Sequence, residues 1–219
     1  MNPHHDAYPQ FSRAERIADG TVHGLGVVFA ITGAVLLLVL AAGQADGSLI
    51  AGLAVYAGAL IATFVASAIY HMTPWEPARP WLRRLDHAAI YLKIAGTYTP
   101  FVIMIGSAFA YVVLIAVWSI ALIGAAMKLF FWRRPGPFGT ILYLVLGWLS
   151  LALIWPMAMS LPGAALVLVA IGGLLYSSGV IFFTRENLKY AYAIWHVFVL
   201  AASACFFTAI SLGTAAAMP

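Results

Sequence analysis

With 219 residues, of which 64% are hydrophobic and only 8% are charged, the chain is not an ordinary soluble domain, since such domains average about 25% charged residues. Its net charge of +4 comes from cations scattered between apolar stretches, which excludes the clustered basic surface by which proteins bind nucleic acids. The single cysteine, Cys205, excludes an internal disulfide and a zinc site built from several thiolates.

The polar N-terminus, residues 1–20, lacks the apolar core of a cleavable signal peptide and is predicted to be a short tail. Residues 21–219 are predicted to form one transmembrane domain. Its apolar stretches have about 18–23 residues each, enough to cross the hydrocarbon core as helices. The predicted spans are 23–41, 49–70, 86–106, 109–131, 138–155, 162–183 and 190–212. Because only helices or closed barrels cross a bilayer, these unalternating runs predict an all-α bundle of seven transmembrane helices.

The basic residues indicate how this bundle is oriented. Ten of the eleven fall on one side of the predicted topology: Arg13, Arg16, Arg79, Arg83, Arg84, Lys128, Arg133, Arg134, Arg185 and Lys189. The segments on the other side carry Asp46 and no cation. By the positive-inside rule, the N-terminus is predicted to be cytoplasmic and the C-terminus outside.

Four polar residues are predicted to meet near the cytoplasmic ends of three spans. Ser67 and His71 are four residues apart and share one face of the second span. Asp86 begins the third span, and His196 lies about two turns into the seventh. Two imidazoles with a carboxylate and a hydroxyl can hold a divalent metal ion, usually zinc. Asp86 could instead orient a ligating histidine or act as general base on a water at the metal.

Each of these residues also has a purely structural interpretation. An interfacial histidine is often only a hydrogen-bonded amphipathic residue, and this applies to His23 and His87. Ser67 could serve helix packing. Asp86 could pair with Arg83 or stabilise a helix N-terminus through the helix dipole. Only the matching depth of the polar residues on three spans favours a functional site over these alternatives.

Several ordered motifs resemble those of the haemolysin III family, the bacterial arm of the superfamily of progestin and adiponectin receptors. They are ERIADGTVHG at 15–24, SAIYH at 67–71, DHAAIY at 86–91, AGTYTPF at 95–101 and AIWHVFV at 193–199. The resemblance extends over nearly the whole chain, from Glu15 to about Ile210. It implies a multi-pass protein of the bacterial inner (plasma) membrane.

The resemblance also implies a zinc site on the cytoplasmic side. The family pattern is Ser-x3-His on the second span, Asp on the third and His-x3-His on the seventh. Carried over, His71 and His196 are zinc ligands, and Ser67 and Asp86 are the candidate catalytic residues. Asp86 would hold or activate a water at the zinc. The related receptors and the alkaline ceramidases suggest hydrolysis of a lipid amide or ester, with membrane lipids as partners.

The chain departs from the family pattern on the seventh span. Tyr192 stands where the first histidine of His-x3-His is expected, and Phe206 stands where the family often has another histidine. A tyrosine ligates only as a phenolate, which is costly because its unperturbed pKa is about 10. The expectation is therefore a weakened zinc site.

Lys93 is the one basic residue inside a predicted span. It lies seven residues after Asp86, about two turns deeper on the same face. One hypothesis is that its ammonium group pairs with Asp86 and Tyr192 and replaces part of the positive charge that zinc supplies elsewhere in the family. The alternative is that Lys93 extends towards the interface and contacts neither residue.

Three functional classes remain open from the sequence. The first is a zinc-dependent hydrolase of lipid amides or esters. The second is a non-catalytic protein, either receptor-like or acting in membrane homeostasis, with a degenerate metal site. The third is a protein associated with cytolysis, as the family name suggests, although the chain lacks the amphipathic strand pattern of a barrel-forming pore.

Overall fold

A computed structural model describes residues 11–131, 137–185 and 187–218. The helices are α1 (Arg13–Ala41), α2 (Gly47–Met72), α3 (Arg79–Ile105), α4 (Ala108–Phe130), α5 (Pro137–Trp148), α6 (Ile154–Ser160), α7 (Gly163–Phe183) and α8 (Ala191–Ala217). Seven helical segments are long and apolar enough to cross a membrane, and the described residues contain no strand. The predicted all-α architecture of seven spans is therefore confirmed.

Two details of the topology prediction are not settled by this fold. Arg133 and Arg134, two of the ten cations used to orient the bundle, lie outside the described residues. The cytoplasmic position of the N-terminus stays a prediction from the positive-inside rule.

Helix α1 begins at Arg13, ten residues before the predicted start of the first span at residue 23. A capping box explains the early start. The backbone N–H of Glu15 donates to the Ser12 hydroxyl at 3.3 Å, and the Ser12 N–H donates to the Glu15 carboxylate at 3.0 Å. These contacts satisfy N–H groups that an uncapped helix would leave without partners. The first helix thus includes Asp19, which the prediction assigned to a polar tail.

The third and fifth spans also differ from their predicted bounds. Helix α3 starts at Arg79 rather than at residue 86, directly after a 3₁₀ turn at Glu76–Ala78. The fifth span was predicted to end at residue 155, but it continues to Ser160. It is also not one regular helix, since a 3₁₀ segment (Leu149–Leu153) separates α5 from α6.

The opposite end of the bundle contains the cation-free turn before α2. The carboxylate of Asp46 accepts hydrogen bonds from the N–H groups of Ser48 and Leu49 at 2.8 and 3.0 Å. Together with the Ser48 hydroxyl, these donors hold the pKa of the Asp46 carboxyl below its ordinary value, because they stabilise its charged form. The acidic residue of this segment is therefore a helix cap.

Small residues allow the helices around the site to approach closely. A Cβ at Gly26 on α1 would lie 2.5 Å from the Phe64 ring on α2. A Cβ at Gly96 on α3 would lie 2.7 Å from the Cβ of Ala59 on α2. Helix α8 packs against both α1 and α7. Close packing through small residues is the usual means of helix association in membranes, and here it brings α1, α2, α3 and α8 together around one buried space.

Candidate metal centre

Four buried polar side chains converge at the end of the bundle where α1 begins and α2 ends. Asp19 and His23 lie one turn apart on α1, His71 lies on the last turn of α2, and His196 lies near the start of α8. Their exposed fractions are between 3% and 9%. One candidate ligand atom from each lies within 4.8 Å of those of the other three. These four residues could together hold a metal ion.

The carboxylate of Asp19 is the acceptor at the middle of this cluster. Its Oδ1 accepts from Nδ1–H of His196 at 2.8 Å, and its Oδ2 accepts from Nδ1–H of His71 at 3.1 Å. Nδ1 of His23 donates to the backbone carbonyl of Asp19 at 2.8 Å. Each imidazole therefore has a proton on Nδ1, and in its neutral form its Nε2 keeps a lone pair. A carboxylate or carbonyl that fixes the histidine tautomer in this way is the usual support of a metal-ligating imidazole.

The chemistry of this donor set fits a divalent transition-metal ion. Three imidazoles are a ligand set of catalytic zinc sites, which keep a fourth position open, and a carboxylate that holds the other ring nitrogen is their usual support. The ring centroids of the three histidines lie 4.2–4.8 Å apart. The three rings therefore pack directly against one another beside the Asp19 carboxylate.

Ser67 and Asp86, the two predicted catalytic residues, lie beside the histidines. The Ser67 hydroxyl is 3.3 Å from Nε2 of His23, and Ser67 and Asp86 line the same cavity. Both residues, together with the three histidines, line a cavity of about 70 Å³ inside the bundle. The structure thus places all of the predicted site residues His71, His196, Ser67 and Asp86 around one small space.

Tyr192, which stands where the resemblance implies a histidine, also lines the 70 Å³ cavity. Its ring packs edge-on against the His71 ring, with the centroids 5.5 Å apart, and against Phe11 at 5.3 Å. His23 provides the third imidazole instead. The sequence had left a purely structural role open for this residue. Phe206 packs against Gly172 and Tyr176 away from the cluster. The lost histidine on the seventh span is therefore offset by one on the first.

The sequence prediction missed Asp19 altogether. Two signals for it were present. Ser12 and Glu15 have the spacing of a capping box, which marks a helix start before Asp19. Asp19 is also four residues before His23, so the two share a helix face. An early helix start would have placed a carboxylate directly beside the histidines.

A contact between α1 and α8 fixes the position of the α8 residues. Oε1 of Glu15 accepts a hydrogen bond from the backbone N–H of Tyr190 at 3.0 Å. Tyr190 has a φ of 62°, the left-handed conformation that residues other than glycine rarely adopt. Such a conformation persists only when its surroundings hold it in place. The Glu15 bond is one such restraint, and it sets where α8 begins and hence where His196 lies.

Lys93 has partners that neither sequence hypothesis foresaw. Its ammonium group donates to the Ser203 hydroxyl at 2.6 Å and lies 4.9 and 5.1 Å from the ring centroids of Phe64 and Tyr176. Its exposed fraction is 6%, so it does not extend towards the interface. Among the described residues it forms no ion pair with Asp86. The lysine belongs to a separate cluster of α2, α3, α7 and α8, in which the aromatic faces stabilise the cation.

We expect a strong energetic coupling between Lys93 and Ser203. Ser203→Ala leaves a buried ammonium group without its hydroxyl acceptor, and this should cost about 2 kcal/mol, or roughly 4–8 °C in Tm. In a Lys93→Met background the same substitution should cost less than half as much. Thermal unfolding of the four proteins of this cycle measures the coupling. Equal losses in both backgrounds would show that the hydrogen bond contributes nothing to stability.

The chain has sequence relatives that match it along most of its length. A family model described as haemolysin-III related matches residues 11–207. The Hemolysin-3 homolog of Bacillus subtilis (strain 168) is 36% identical over 198 residues, which cover 90% of this chain and 93% of that protein. Hemolysin-3 of Bacillus cereus is 36% identical over 194 residues, covering 88% and 89%. The human Monocyte to macrophage differentiation factor is 29% identical over 166 residues, covering 71% and 67%.

The matched region contains every residue of the candidate centre, from Asp19 on α1 to His196 on α8. The similarity to both Bacillus proteins covers about nine-tenths of their length. The relationship therefore concerns the whole bundle and not a local motif. This multi-pass membrane protein belongs to the haemolysin III family.

Proposed function

We propose that the chain is a zinc-dependent membrane hydrolase that cleaves an amide or ester bond of a lipid at the cytoplasmic side of a bacterial inner membrane. The observation that carries this proposal is the convergence of three imidazoles and the Asp86 carboxylate on one buried cavity, with the Asp19 carboxylate hydrogen-bonded to two of the imidazoles. Ionisable groups at membrane depth are expensive, so a cluster of five is a functional arrangement by default. The Bacillus relatives and the positive-inside pattern support the location.

In this proposal, His23, His71 and His196 hold the zinc ion through their Nε2 atoms, and Asp19 fixes the three rings. When bound, zinc supplies Lewis-acid chemistry that polarises a carbonyl oxygen and stabilises the charge that develops on it. The protein supplies orientation, because each ring is held by the hydrogen bond of its Nδ1. It also excludes bulk water, because the centre is buried.

Asp86 is the proposed general base and acid. Asp86 lines the cavity together with the three histidines and Ser67. It would take a proton from a water molecule as the water oxygen attacks the carbonyl carbon. It would then give that proton to the nitrogen or oxygen of the leaving group as the carbon–heteroatom bond breaks. Ser67 holds the carboxylate in position, which is the role that general acid–base catalysis requires of a neighbouring group.

The test of this function is the turnover of Asp86→Asn in the purified, zinc-loaded protein. An asparagine keeps the shape but cannot carry the proton, so turnover of a fluorescent long-chain N-acyl amide or the matching ester should fall about 10²–10⁴-fold. Zinc content should be unchanged. A matched control is Asp46→Asn, at the opposite end of the bundle, which should retain wild-type turnover.

Two outcomes would contradict the proposal. The zinc-loaded wild type could turn over neither probe, in which case a non-catalytic, receptor-like role would replace it. Asp86→Asn could also retain wild-type turnover, in which case the proton is carried elsewhere.

A further inference from the structure

A second and larger cavity reaches the centre from the end of the bundle where α1 and α3 begin. Its volume is about 590 Å³, within the range of cavities that hold small ligands. Asp19 and His71, two residues of the metal centre, form part of its wall. We call this cavity the vestibule. A ligand bound in it would lie beside these two residues of the centre.

The vestibule has a surplus of positive charge. Three arginines line it: Arg13, Arg16 and Arg79. Its two acidic residues are already engaged by donors of the protein. Glu15 accepts from Ser12 and from the backbone of Tyr190, and Asp19 accepts from two histidines. The negative groups that line the cavity are thus held by their own partners.

The arginines differ in how far they are engaged. Arg79 pairs with Glu76, whose side chain is 71% exposed, and donates to the Thr73 carbonyl at 3.0 Å. Arg13 and Arg16 form no ion pair with any residue in the described part of the chain. They lie three residues apart, so both project from one side of the first turns of α1. Two guanidinium groups so placed match an oxyanion, which arginine binds through paired hydrogen bonds.

Apolar side chains form the rest of the vestibule wall. Ile17 and Met72 line it and are also 59% and 42% exposed at the ends of α1 and α2. Phe11 and Tyr192 line it as well. In a bundle that crosses a membrane, exposed apolar residues at helix ends face the lipid. The cavity is lined by both arginines and apolar side chains. This lining suits an amphiphile, with a charged head group and an apolar tail, better than a free inorganic anion.

We propose that the vestibule binds the oxyanionic head group, phosphate or carboxylate, of a lipid and presents it to the metal centre, with Arg13 and Arg16 as the charged contacts. This inference rests on the proposed function for the role of the centre, but the binding itself does not require turnover. It narrows the substrate class from any lipid amide or ester to one with an anionic head group.

The test measures binding of dodecyl phosphate to the full chain in a neutral maltoside detergent, through the shift in Tm as the probe is titrated. Two further probes separate the effect of the head-group charge from that of the alkyl tail. Dodecylphosphocholine has the same tail with a zwitterionic head, and inorganic phosphate has no tail. The variant is the double substitution Arg13→Gln with Arg16→Gln. The matched control is Arg185→Gln, which removes a cation assigned to the same side that does not line the vestibule.

The wild type should bind dodecyl phosphate most tightly of the three probes. The double variant should bind it at least about tenfold more weakly, and Arg185→Gln should bind it within twofold of the wild type. Equal binding of dodecylphosphocholine would overturn the role of charge. Equal binding of inorganic phosphate would overturn the lipid assignment. Unchanged binding by the double variant would overturn the site.

Two measurements separate this inference from the proposed function. Zinc content is determined on the same samples, and the double variant should keep its zinc. The titration is then repeated in His196→Ala, which lacks one residue of the centre and does not line the vestibule. The arginine dependence should persist there. If it disappears, binding needs the metal centre as well as the arginines, and the inference of an independent arginine site fails while the metal centre stands.

Discussion

His23→Ala should lower the zinc affinity of the protein by about a hundredfold or more. Structural zinc sites hold their ion with about 10–16 kcal/mol, so one ligand of four accounts for roughly 3 kcal/mol. His23 provides one of three imidazoles, and its Nδ1 is already fixed by the Asp19 carbonyl at 2.8 Å. The loss should therefore match that of His71→Ala and His196→Ala. Competition with a zinc chelator of known affinity measures all three.

Tyr192→Phe, compared with His23→Ala, distinguishes the two candidates for the third zinc ligand. The family pattern puts a ligand at position 192, whereas the structure puts the third imidazole on α1. Removing the phenol oxygen should leave zinc affinity within about threefold of the wild type, because the ring packing against His71 and Phe11 is retained. His87→Ala removes a histidine outside the four-residue cluster and should behave likewise. A large loss in Tyr192→Phe with none in His23→Ala would reverse the assignment.

Asp19→Asn should weaken zinc binding because it changes which nitrogen of a histidine carries the proton. The carboxylate accepts one Nδ1–H on each oxygen, from His196 and from His71. An asparagine keeps one acceptor oxygen and turns a donor NH₂ towards the other ring. That ring must move its proton to Nε2, where the proton blocks the metal. We expect zinc affinity to fall about 10–100-fold, as for other losses of a histidine-orienting carboxylate.

The same substitution should lower the stability of the metal-free protein. One buried imidazole loses its hydrogen bond to a charged acceptor, which costs about 1.5–3 kcal/mol, or roughly 3–10 °C in Tm. Asp86→Asn is the matched control, since it changes a second buried carboxylate. Zinc binding by Asp19→Asn equal to that of the wild type would show that Asp19 does not set the tautomers.

The seven spans could be predicted because each depends on a local property of the chain. A run of about 20 apolar residues is visible without knowledge of its neighbours. The ends of the helices were less predictable. Helix α1 extends ten residues before its apolar run because a capping box, not hydropathy, sets its start. The 3₁₀ segment in the fifth span, Leu149–Leu153, lies within an apolar run and leaves no mark in its composition.

The site could be predicted in part. Ser67, His71, Asp86 and His196 stood out because a polar residue in an apolar span is conspicuous. Asp19 did not, because it lies in a polar segment where a carboxylate is ordinary. Its role depends on the packing of α1 against α2 and α8, which is a property of the folded bundle.

The partner of Lys93 could not be predicted from the sequence either. Spacing along α3 placed it on the face of Asp86, and the hypothesis of an ion pair followed from that face alone. The structure gives it Ser203 of α8 instead, 110 residues away in sequence. The neighbouring helix that a long side chain contacts depends on how the helices pack. The spacing of residues along a single helix does not reveal that packing.

The central claim is that His23, His71 and His196 hold one zinc ion through their imidazoles. X-ray absorption at the zinc K-edge, combined with metal analysis of the purified chain, tests it most directly. The account predicts one zinc per chain with three imidazole nitrogens at about 2.0–2.1 Å and a remaining oxygen ligand. A chain that retains no zinc after loading, or a zinc with fewer than three imidazoles and a phenolate oxygen from Tyr192, would contradict it.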